Sequence, residues 1–322
     1  MEEKITRTAT TQEGQHVPAV ANEDRASTGE LPTTWSAAPK LNKSPLHGLW
    51  ALTNRDLLKW YKNPIQLLIS LIQPVVWLGL FGKALNFGSF ISSQPGITAA
   101  EIAAINLREF GVSDYFSFLS AGMLAFIILF TAAFAGMSVV WDRRFGFMNK
   151  ALSTPVGRGS IVVGKILQSV IRSLIQAALV LAIAIALGMD TAHMTVFTVA
   201  GAFTMLFLMA FGLSSLFVML ALRSSDWQTQ MAIINLLNLP LLFASNAMLP
   251  VTIMPSWLQT VVKFNPVSYA VDGVRQLLLG AGSTLGSAAP LAPLWADFAV
   301  LTVFAVLLAT MGIILSWRLL TK

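Results

Sequence analysis

The chain has 322 residues, of which 55% are hydrophobic and 11% are charged, and its formal net charge is +6. Because soluble globular domains contain about 25% charged residues, this composition indicates an integral membrane protein. The absence of cysteine excludes disulfides, thiol catalysis and cysteine metal ligands. The lysines and arginines cluster beside the ends of apolar segments, so the positive charge indicates membrane topology and not nucleic-acid binding.

Residues 1–45 are predicted to form a disordered cytosolic tail. They mix acidic and basic residues with Thr, Gln and Ala, which makes them too polar to bury a core, and they lack the apolar region of a signal peptide. The remaining residues, 46–322, are predicted to form one transmembrane domain.

Residues 46–63 are predicted to form an amphipathic helix at the membrane interface. Its apolar face contains Leu46, Leu49, Trp50, Leu57, Trp60 and Tyr61, and another face contains Arg55, Lys59 and Lys62. Aromatic side chains suit the headgroup boundary, and lysines suit anionic lipid. A plain membrane anchor and a mechanical role both fit this helix.

Six apolar segments are predicted to cross the membrane, because a span needs about 20 mostly apolar residues. They lie near 65–84, 115–140, 161–189, 195–222, 228–249 and 296–317. The fold class is therefore predicted as an all-α integral membrane protein with six transmembrane helices.

Basic residues are concentrated before the first span and between the second and third. The second group contains Arg143, Arg144, Lys150, Arg158, Lys165 and Arg172. By the positive-inside rule this side is cytoplasmic, which places both termini in the cytoplasm. The chain is thus predicted to be a multi-pass protein of the plasma or inner membrane.

Several kinds of chemistry are disfavoured. The sequence has no phosphate-binding loop of the form G-x-x-x-x-G-K-[ST], so the chain is not expected to hydrolyse ATP alone. Its three histidines, His16, His47 and His193, lie outside the span interiors, which disfavours membrane hydrolases. Carboxylates are absent near the predicted midplane, which disfavours an ion-coupled carrier. No catalytic residue, metal site or cofactor is predicted on this chain.

The predicted cytosolic connector from Trp141 to Lys165 is compact and basic. It is interrupted at Ser153-Thr154-Pro155, where a hydroxyl cap and a proline restart a helix. This pattern predicts a short helix that projects into the cytosol. From charge alone, a role as anchors of membrane topology is the favoured explanation of the basic residues.

The predicted external connector from Met254 to Gly280 is apolar but broken at Asn265-Pro266. Each half is too short to cross about 30 Å at 1.5 Å per residue. The sequence therefore predicts a re-entrant helical hairpin between the fifth and sixth spans. Because re-entrant backbone needs protein cover, we expect the hairpin to pack on the bundle near an outer exit.

Three segments together resemble the permease subunits of type-2 ABC exporters, particularly the daunorubicin-resistance branch of drug and lipid exporters. They read NRDLLKWYKNP before the first span, WDRRFGFMNKALSTPVGR after the second and NPVSYAVDGVRQLLLG before the last. The resemblance covers about residues 46–320, and the third segment is its most specific part.

The resemblance implies roles for two groups of residues. A coupling element that binds a separate cytosolic ATPase chain would contain Asp142, Arg143, Arg144, Gly146, Phe147, Leu152, Ser153, Thr154, Pro155 and Arg158. An external gate would contain Asn265, Pro266, Tyr269 and Arg275, with Asp272 paired to Arg275 by helical spacing. ATP and Mg would bind the partner chain, and a second permease copy would complete a homodimer in the membrane lipid.

The fifth predicted span is unusually polar for a helix that faces lipid. It contains Asn235, Asn238, Ser245 and Asn246. Hydrogen bonds between helices and a lining role in a substrate pathway explain these residues about equally well.

The sequence is thus interpreted as the transport subunit of an exporter for hydrophobic or amphipathic compounds, such as a drug, an antibiotic or a lipid. The absence of midplane charges favours such cargo over ions. Two alternatives stay open: a permease for lipid-linked polysaccharides, and a membrane scaffold that transports nothing.

Overall fold

The structure of the chain is a computed structural model that describes residues 45–84, 114–153, 157–224, 226–280 and 290–320. It also describes residues 98, 101, 104, 107, 108 and 110–112. The predicted tail therefore lies outside the described residues except for Pro45. Across these ranges the regular secondary structure is helical, without a strand, as the all-α prediction requires.

The helices are numbered α1 to α10 in chain order. They are α1 Pro45–Tyr61, α2 Pro64–Trp77 followed by a π-helix Leu78–Ala84, α3 Tyr115–Arg144, α4 Phe147–Leu152, α5 Arg158–Ala186, α6 Val196–Arg223, α7 Trp227–Phe243, α8 Ser256–Phe264, α9 Pro266–Leu279 and α10 Leu294–Leu320. A short 3-10 turn, Val251–Ile253, precedes α8.

Four helices of the described part are long and apolar enough to cross a membrane. They comprise Tyr115–Arg144, Gly159–Ala186, Val196–Arg223 and Leu294–Ser316, and they coincide with four of the six predicted spans. The other two predicted spans correspond to α2 with its π-helix and to α7. Because α7 has 17 residues, it extends only about 26 Å at 1.5 Å per residue. Membrane crossing by these two segments stays a prediction.

Polar side chains at the helix starts explain several of the boundaries. Asp114 accepts a hydrogen bond from the Ser117 amide at the start of α3, and Asp226 accepts one from the Thr229 amide at the start of α7. Asn265 caps α9 with proline at the first helical position, and Gly280 ends α9 with a φ of +64°. The predicted start and end of this helix are confirmed.

Helix α3 is the most buried of the four long helices. It packs against α5, α6, α7 and α9. Two of its glycines permit close approach, because a Cβ atom at Gly122 would collide with the carbonyl of Ala247, and one at Gly136 with the carbonyl of Phe217. The backbone of the segment after α7 and that of α6 therefore lie directly against α3.

Helix α7 is shorter than predicted. The expected span was 228–249, but the helix ends at Phe243, and residues 244–250 have no regular helical structure. The two predicted halves of the external connector do form helices, α8 and α9, which meet at Asn265. Their depth in the membrane stays a prediction.

Candidate functional site

Four charged side chains join three helices at the end of the bundle that is predicted to be cytosolic. The Nζ atom of Lys165 on α5 lies 2.5 Å from Asp56 Oδ2 on α1 and 2.5 Å from Asp142 Oδ2 on α3. Arg55 Nη2 lies 2.6 Å from Asp56 Oδ1 and 3.2 Å from Asp142 Oδ2. These four residues are called the charge cluster, and their two positive and two negative charges balance.

The charge cluster is largely shielded from solvent, since the side chain of Lys165 is only 7% exposed and that of Asp56 is 11% exposed. Burial raises the pKa of the Asp56 carboxyl, but the positive charges of Lys165 and Arg55 outweigh it and hold the pKa below its ordinary value. Asp56 is therefore ionised at neutral pH. Removing one partner of a buried ion pair typically costs about 3–5 kcal/mol, because a charge is left without compensation.

The charge cluster also holds the short helix α4. The guanidinium carbon of Arg55 lies 3.6 Å from the centre of the Phe147 ring, and Phe147 is the first residue of α4. Gly146 connects α3 to α4 with a φ of +71°, a conformation that residues with a Cβ rarely adopt. The predicted short helix of the coupling element is thus present, and its start is fixed against α1.

The two arginines at the end of α3 have different surroundings. Arg143 donates hydrogen bonds to the carbonyls of Leu222 (3.1 Å) and Ser224 (2.9 Å), at the C-terminus of α6. Arg144 is exposed, and the ring of Phe145 is 80% exposed. Arg143 therefore stabilises the end of α6, whereas Arg144 is accessible on the surface.

The remaining described residues of the predicted coupling element lie at the end of α4 and at the start of α5. Leu152 ends α4 and Arg158 begins α5. Ser153 donates a hydrogen bond to the Lys150 carbonyl at 2.9 Å. Thr154 and Pro155 lie outside the described residues.

Sequence reasoning assigned Arg55, Asp56 and Lys165 no site role. The helical pattern places Arg55 on a different face from the apolar side chains of α1, but it contacts Asp142 on α3 and Phe147 on α4. The sequence signal for this site is the position of Lys165 inside the predicted third span, because a charge there needs a partner.

Helix α1 packs along α5. Thr53 Oγ1 donates a hydrogen bond to the Gly164 carbonyl at 3.3 Å, and the Trp60 ring centre lies 5.7 Å from the guanidinium carbon of Arg172. The residue numbers of the two contacts increase together along α1 and α5, so the two helices run in the same direction. Trp60, which was expected at the headgroup boundary, is only 5% exposed and belongs to this packing. The interfacial position of α1 as a whole stays a prediction.

At the opposite end of the bundle, Arg275 is 4% exposed and binds backbone carbonyls. It donates to Asn246 O at 2.7 Å and Ala247 O at 2.9 Å, and its Nε and Nη2 atoms donate to Phe118 O at 3.3 and 3.2 Å. Its guanidinium carbon also lies 3.4 Å from the centre of the Phe118 ring. Arg275 therefore joins α9 to α3 and to the segment after α7.

Asn265, at the start of α9, binds carbonyls at the end of α7 and in the segment that follows it. Its Nδ2 atom donates to the carbonyls of Leu241 (2.7 Å) and Ala244 (2.6 Å), while its Oδ1 accepts from the Val267 amide at 3.0 Å. Asn265 and Arg275 are called the carbonyl-binding pair. Non-helical backbone in a buried position needs such partners, because each unpaired buried carbonyl costs about 1–3 kcal/mol.

The predicted pairing of Asp272 with Arg275 does not take the form of a direct ion pair, although the two opposite charges lie close enough to attract each other. The Oδ2 atom of Asp272 accepts from Gln276 Nε2 at 3.0 Å and from the Ala292 amide at 3.2 Å. Gln276 Nε2 also donates to Asp297 Oδ2 at 2.9 Å. The donors of Arg275 are directed to carbonyls instead, so these two described residues form no ion pair. Nearby, the Tyr269 hydroxyl donates to Lys263 O at 2.6 Å and joins α9 to α8.

The polar residues of the fifth predicted span lie in different environments. Asn235 is exposed, whereas Asn238 is buried within α7. Ser245 and Asn246 are buried in the non-helical segment after α7. None of the four lines the cavity of about 370 Å³ that lies between α2, α3 and α5 in the described part of the chain. Ser245 lines another cavity of about 230 Å³, together with Tyr115 and Leu242. Their role in a substrate pathway stays a prediction.

The family match and the similar proteins both point to transport permeases. Residues 47–279 match the family described as ABC-2 type transporter. The ycf38 transport permease of Pyropia yezoensis is 33% identical over 228 residues, which cover 70% of this chain and 72% of that protein. The ycf38 permease of Cyanophora paradoxa is 30% identical over 230 residues, covering 71% and 73%.

A more distant relative has a drug-resistance name. The daunorubicin resistance ABC transporter permease DrrB1 of Streptomyces coeruleorubidus is 24% identical over 254 residues, which cover 79% of this chain and 80% of that protein. The matched region contains α1 from its third residue, the charge cluster and the carbonyl-binding pair. The chain belongs to the ABC-2 type transporter family and is a membrane-spanning permease.

Proposed function

We propose that this chain is the permease subunit of an ATP-driven exporter that moves hydrophobic or amphipathic compounds out of the cytoplasm or the inner leaflet. A separate cytosolic chain binds ATP and Mg and supplies the energy. Two permease copies form the membrane channel. The family match and the transport names of the relatives support this proposal.

The observation that carries the proposal is the link between α4 and three other helices. Phe147 at the start of α4 contacts Arg55, which in turn binds Asp56 on α1 and Asp142 on α3. Lys165 extends the same contacts to α5. A force applied to α4 from the cytosol is therefore transmitted to α1, α3 and α5 together.

The surface available to the ATPase chain lies beside this link. Arg144, Phe145 and Lys150 are exposed around the turn between α3 and α4. An exposed ring with adjacent positive charges suits a partner surface that has an apolar pocket and acidic residues. The internal contacts of Arg143 make it a support of this surface and not part of it.

The other end of the bundle is proposed as the outer gate. The carbonyl-binding pair and Tyr269 determine how α8 and α9 sit against the end of α7. This geometry supports a release role, because movement of α9 would free the carbonyls of the segment after α7. Under the positive-inside rule, α4 and both chain ends face the cytoplasm.

Copurification tests the proposal. The permease is isolated together with a candidate ATPase chain, and Arg144→Glu is compared with Arg318→Glu, which reverses an exposed charge on α10. We expect Arg144→Glu to reduce ATPase association and export while Arg318→Glu leaves association unchanged. Export that continues without any ATPase chain would refute the proposal.

A further inference from the structure

The cavity between α2, α3 and α5 has a chemically mixed wall. It encloses about 370 Å³, within the usual range of roughly 300–1,000 Å³ for small-molecule sites. The α3 side contributes the aromatic rings of Phe126, Phe130 and Trp141. The α5 side contributes Gln168 and Arg172, which are one helical turn apart and so lie on one face. The α3 wall is thus mostly apolar, whereas the α5 wall is polar and carries a charge.

Arg172 has no counter-charge among the described residues. Its Nε atom is buried without a hydrogen bond, and its guanidinium carbon lies 5.7 Å from the centre of the Trp60 ring. The two acids packed against the same side of α5, Asp56 and Asp142, are each bound to Lys165 and Arg55. The balanced charge cluster therefore leaves Arg172 as an additional positive charge.

An arginine without a partner raises the free energy of a membrane helix that contains it. The charge pattern of the sequence groups Arg172 with the cytosolic basic residues, but it is the fifteenth of the 29 residues of α5, counted from Arg158, and so lies at the middle of that helix. The expectation that the spans carry no charge near their middle therefore does not hold for α5. Ionisable residues at such positions usually face a cavity and mark a pathway or a ligand. Gln168 is 7% exposed, and its amide has no hydrogen bond within the described residues. Both side chains are thus available to a molecule in the cavity.

We propose that this cavity binds an amphiphile through a negatively charged group, a carboxylate or a phosphate. The guanidinium of Arg172 and the amide of Gln168 hold the anionic group, and the apolar part packs against the aromatic side chains of α3. Compounds that carry an amine are repelled by Arg172. Binding itself requires no ATPase, whereas the identification of this amphiphile as the exported compound rests on the proposed function.

Photolabelling in lipid nanodiscs of zwitterionic lipid tests the site. The probes are hexadecanoic acid with a diazirine in its chain and the methyl ester of the same molecule, and labelled residues are mapped by mass spectrometry. We expect the acid to label Phe130 or Met137 on α3, with the ester labelling roughly tenfold less, because a charge-assisted hydrogen bond is lost. Arg172→Gln should reduce labelling by the acid to the level of the ester.

Matched variants separate this result from unfolding. Arg172→Lys retains the charge and should keep part of the labelling, whereas Arg318→Gln removes an exposed arginine and should change nothing. Because Arg172→Gln removes an unpaired buried charge, we expect its melting temperature without ligand to equal or exceed that of the native protein. Equal labelling by acid and ester, or by native protein and Arg172→Gln, overturns the proposal.

The same chain-labelled diazirine in phosphatidylglycerol and in phosphatidylcholine distinguishes a lipid from a free compound. Arg172-dependent labelling by phosphatidylglycerol identifies an anionic lipid headgroup as the ligand. Labelling by the free acid alone identifies a soluble acidic amphiphile. Arg172-dependent binding without any export of the acid by the assembled complex would retain the site and reject its role in the proposed function.

Discussion

Arg275 on α9 donates a hydrogen bond of 2.7 Å to the carbonyl oxygen of Asn246, which lies in the non-helical segment that follows α7. With the bond to Ala247 at 2.9 Å, this contact replaces the hydrogen bonds that a continued helix would have made. The external motif thus has a structural role, because it satisfies the backbone where α7 stops.

Replacing Arg275 with Leu is expected to destabilise the protein strongly. Two buried carbonyls, those of Asn246 and Ala247, lose the side-chain donor that satisfies them, at about 1–3 kcal/mol for each unsatisfied group. The Phe118 carbonyl keeps its backbone donor within α3. Thermal unfolding in detergent measures the change, with exposed Lys263→Leu as the control. Equal melting temperatures for the native protein and the Arg275 variant would contradict the assignment.

Tyr269→Phe tests the gate with little structural damage. The variant loses one hydrogen bond, from the tyrosine hydroxyl to Lys263 O, and this costs about 1 kcal/mol. We expect ATPase association to persist while export changes, because the contact joins α8 to α9 at the end far from α4. The measurement compares export and copurification at matched membrane levels. Unchanged export would remove Tyr269 from the gate.

The charge cluster is expected to respond as a unit. Lys165→Met alone leaves Asp56 and Asp142 with Arg55 and the exposed Lys59, which lies 4.0 Å from Asp56, and such losses typically cost about 3–5 kcal/mol. Combining Lys165→Met with Asp142→Leu restores the balance of charge, so we expect the double variant to be less destabilised than the sum of the single variants. A double-mutant cycle on unfolding measures the coupling. Strict additivity would show that the two residues do not interact energetically.

Gly146→Ala tests the backbone conformation of the turn between α3 and α4. No atom lies within 4 Å of the added Cβ, so the penalty comes from the φ of +71°, at roughly 1–2 kcal/mol. We expect α4 to shift and ATPase stimulation to fall. Gly157→Ala is the matched control, because Gly157 has a φ of −60° and space for a Cβ. If both variants stimulate the ATPase equally well, the orientation of α4 is not important for coupling.

Reporter positions test the membrane topology. Tags at residues 1 and 322 and a reporter near residue 150 are expected in the cytoplasm, whereas residues near 100 and 285 should be labelled from outside. Impermeant labelling of introduced cysteines is practical because the native chain has none. Protection of both outer positions would reject the six-span topology.

The sequence by itself determined the long apolar helices and several of their boundaries. Span length and hydrophobicity are properties of contiguous residues, and the Asn265-Pro266 start and the Gly280 end of α9 depend on local backbone chemistry. The short helix α4 was predictable for the same reason. The motifs in this order were also sufficient to indicate the family that the comparisons confirm.

Only the tertiary structure decided the partners of the charged residues. Lys165 and Asp56 are 109 positions apart, and Arg143 and Arg275 bind carbonyls on other elements that no local pattern indicates. Helical spacing tells which face of its own helix a residue occupies, but the partner depends on which helix packs there and where that helix ends. For that reason Arg275 binds the segment after α7 and not Asp272, and Arg172 lies in a cavity without a counter-charge among the described residues.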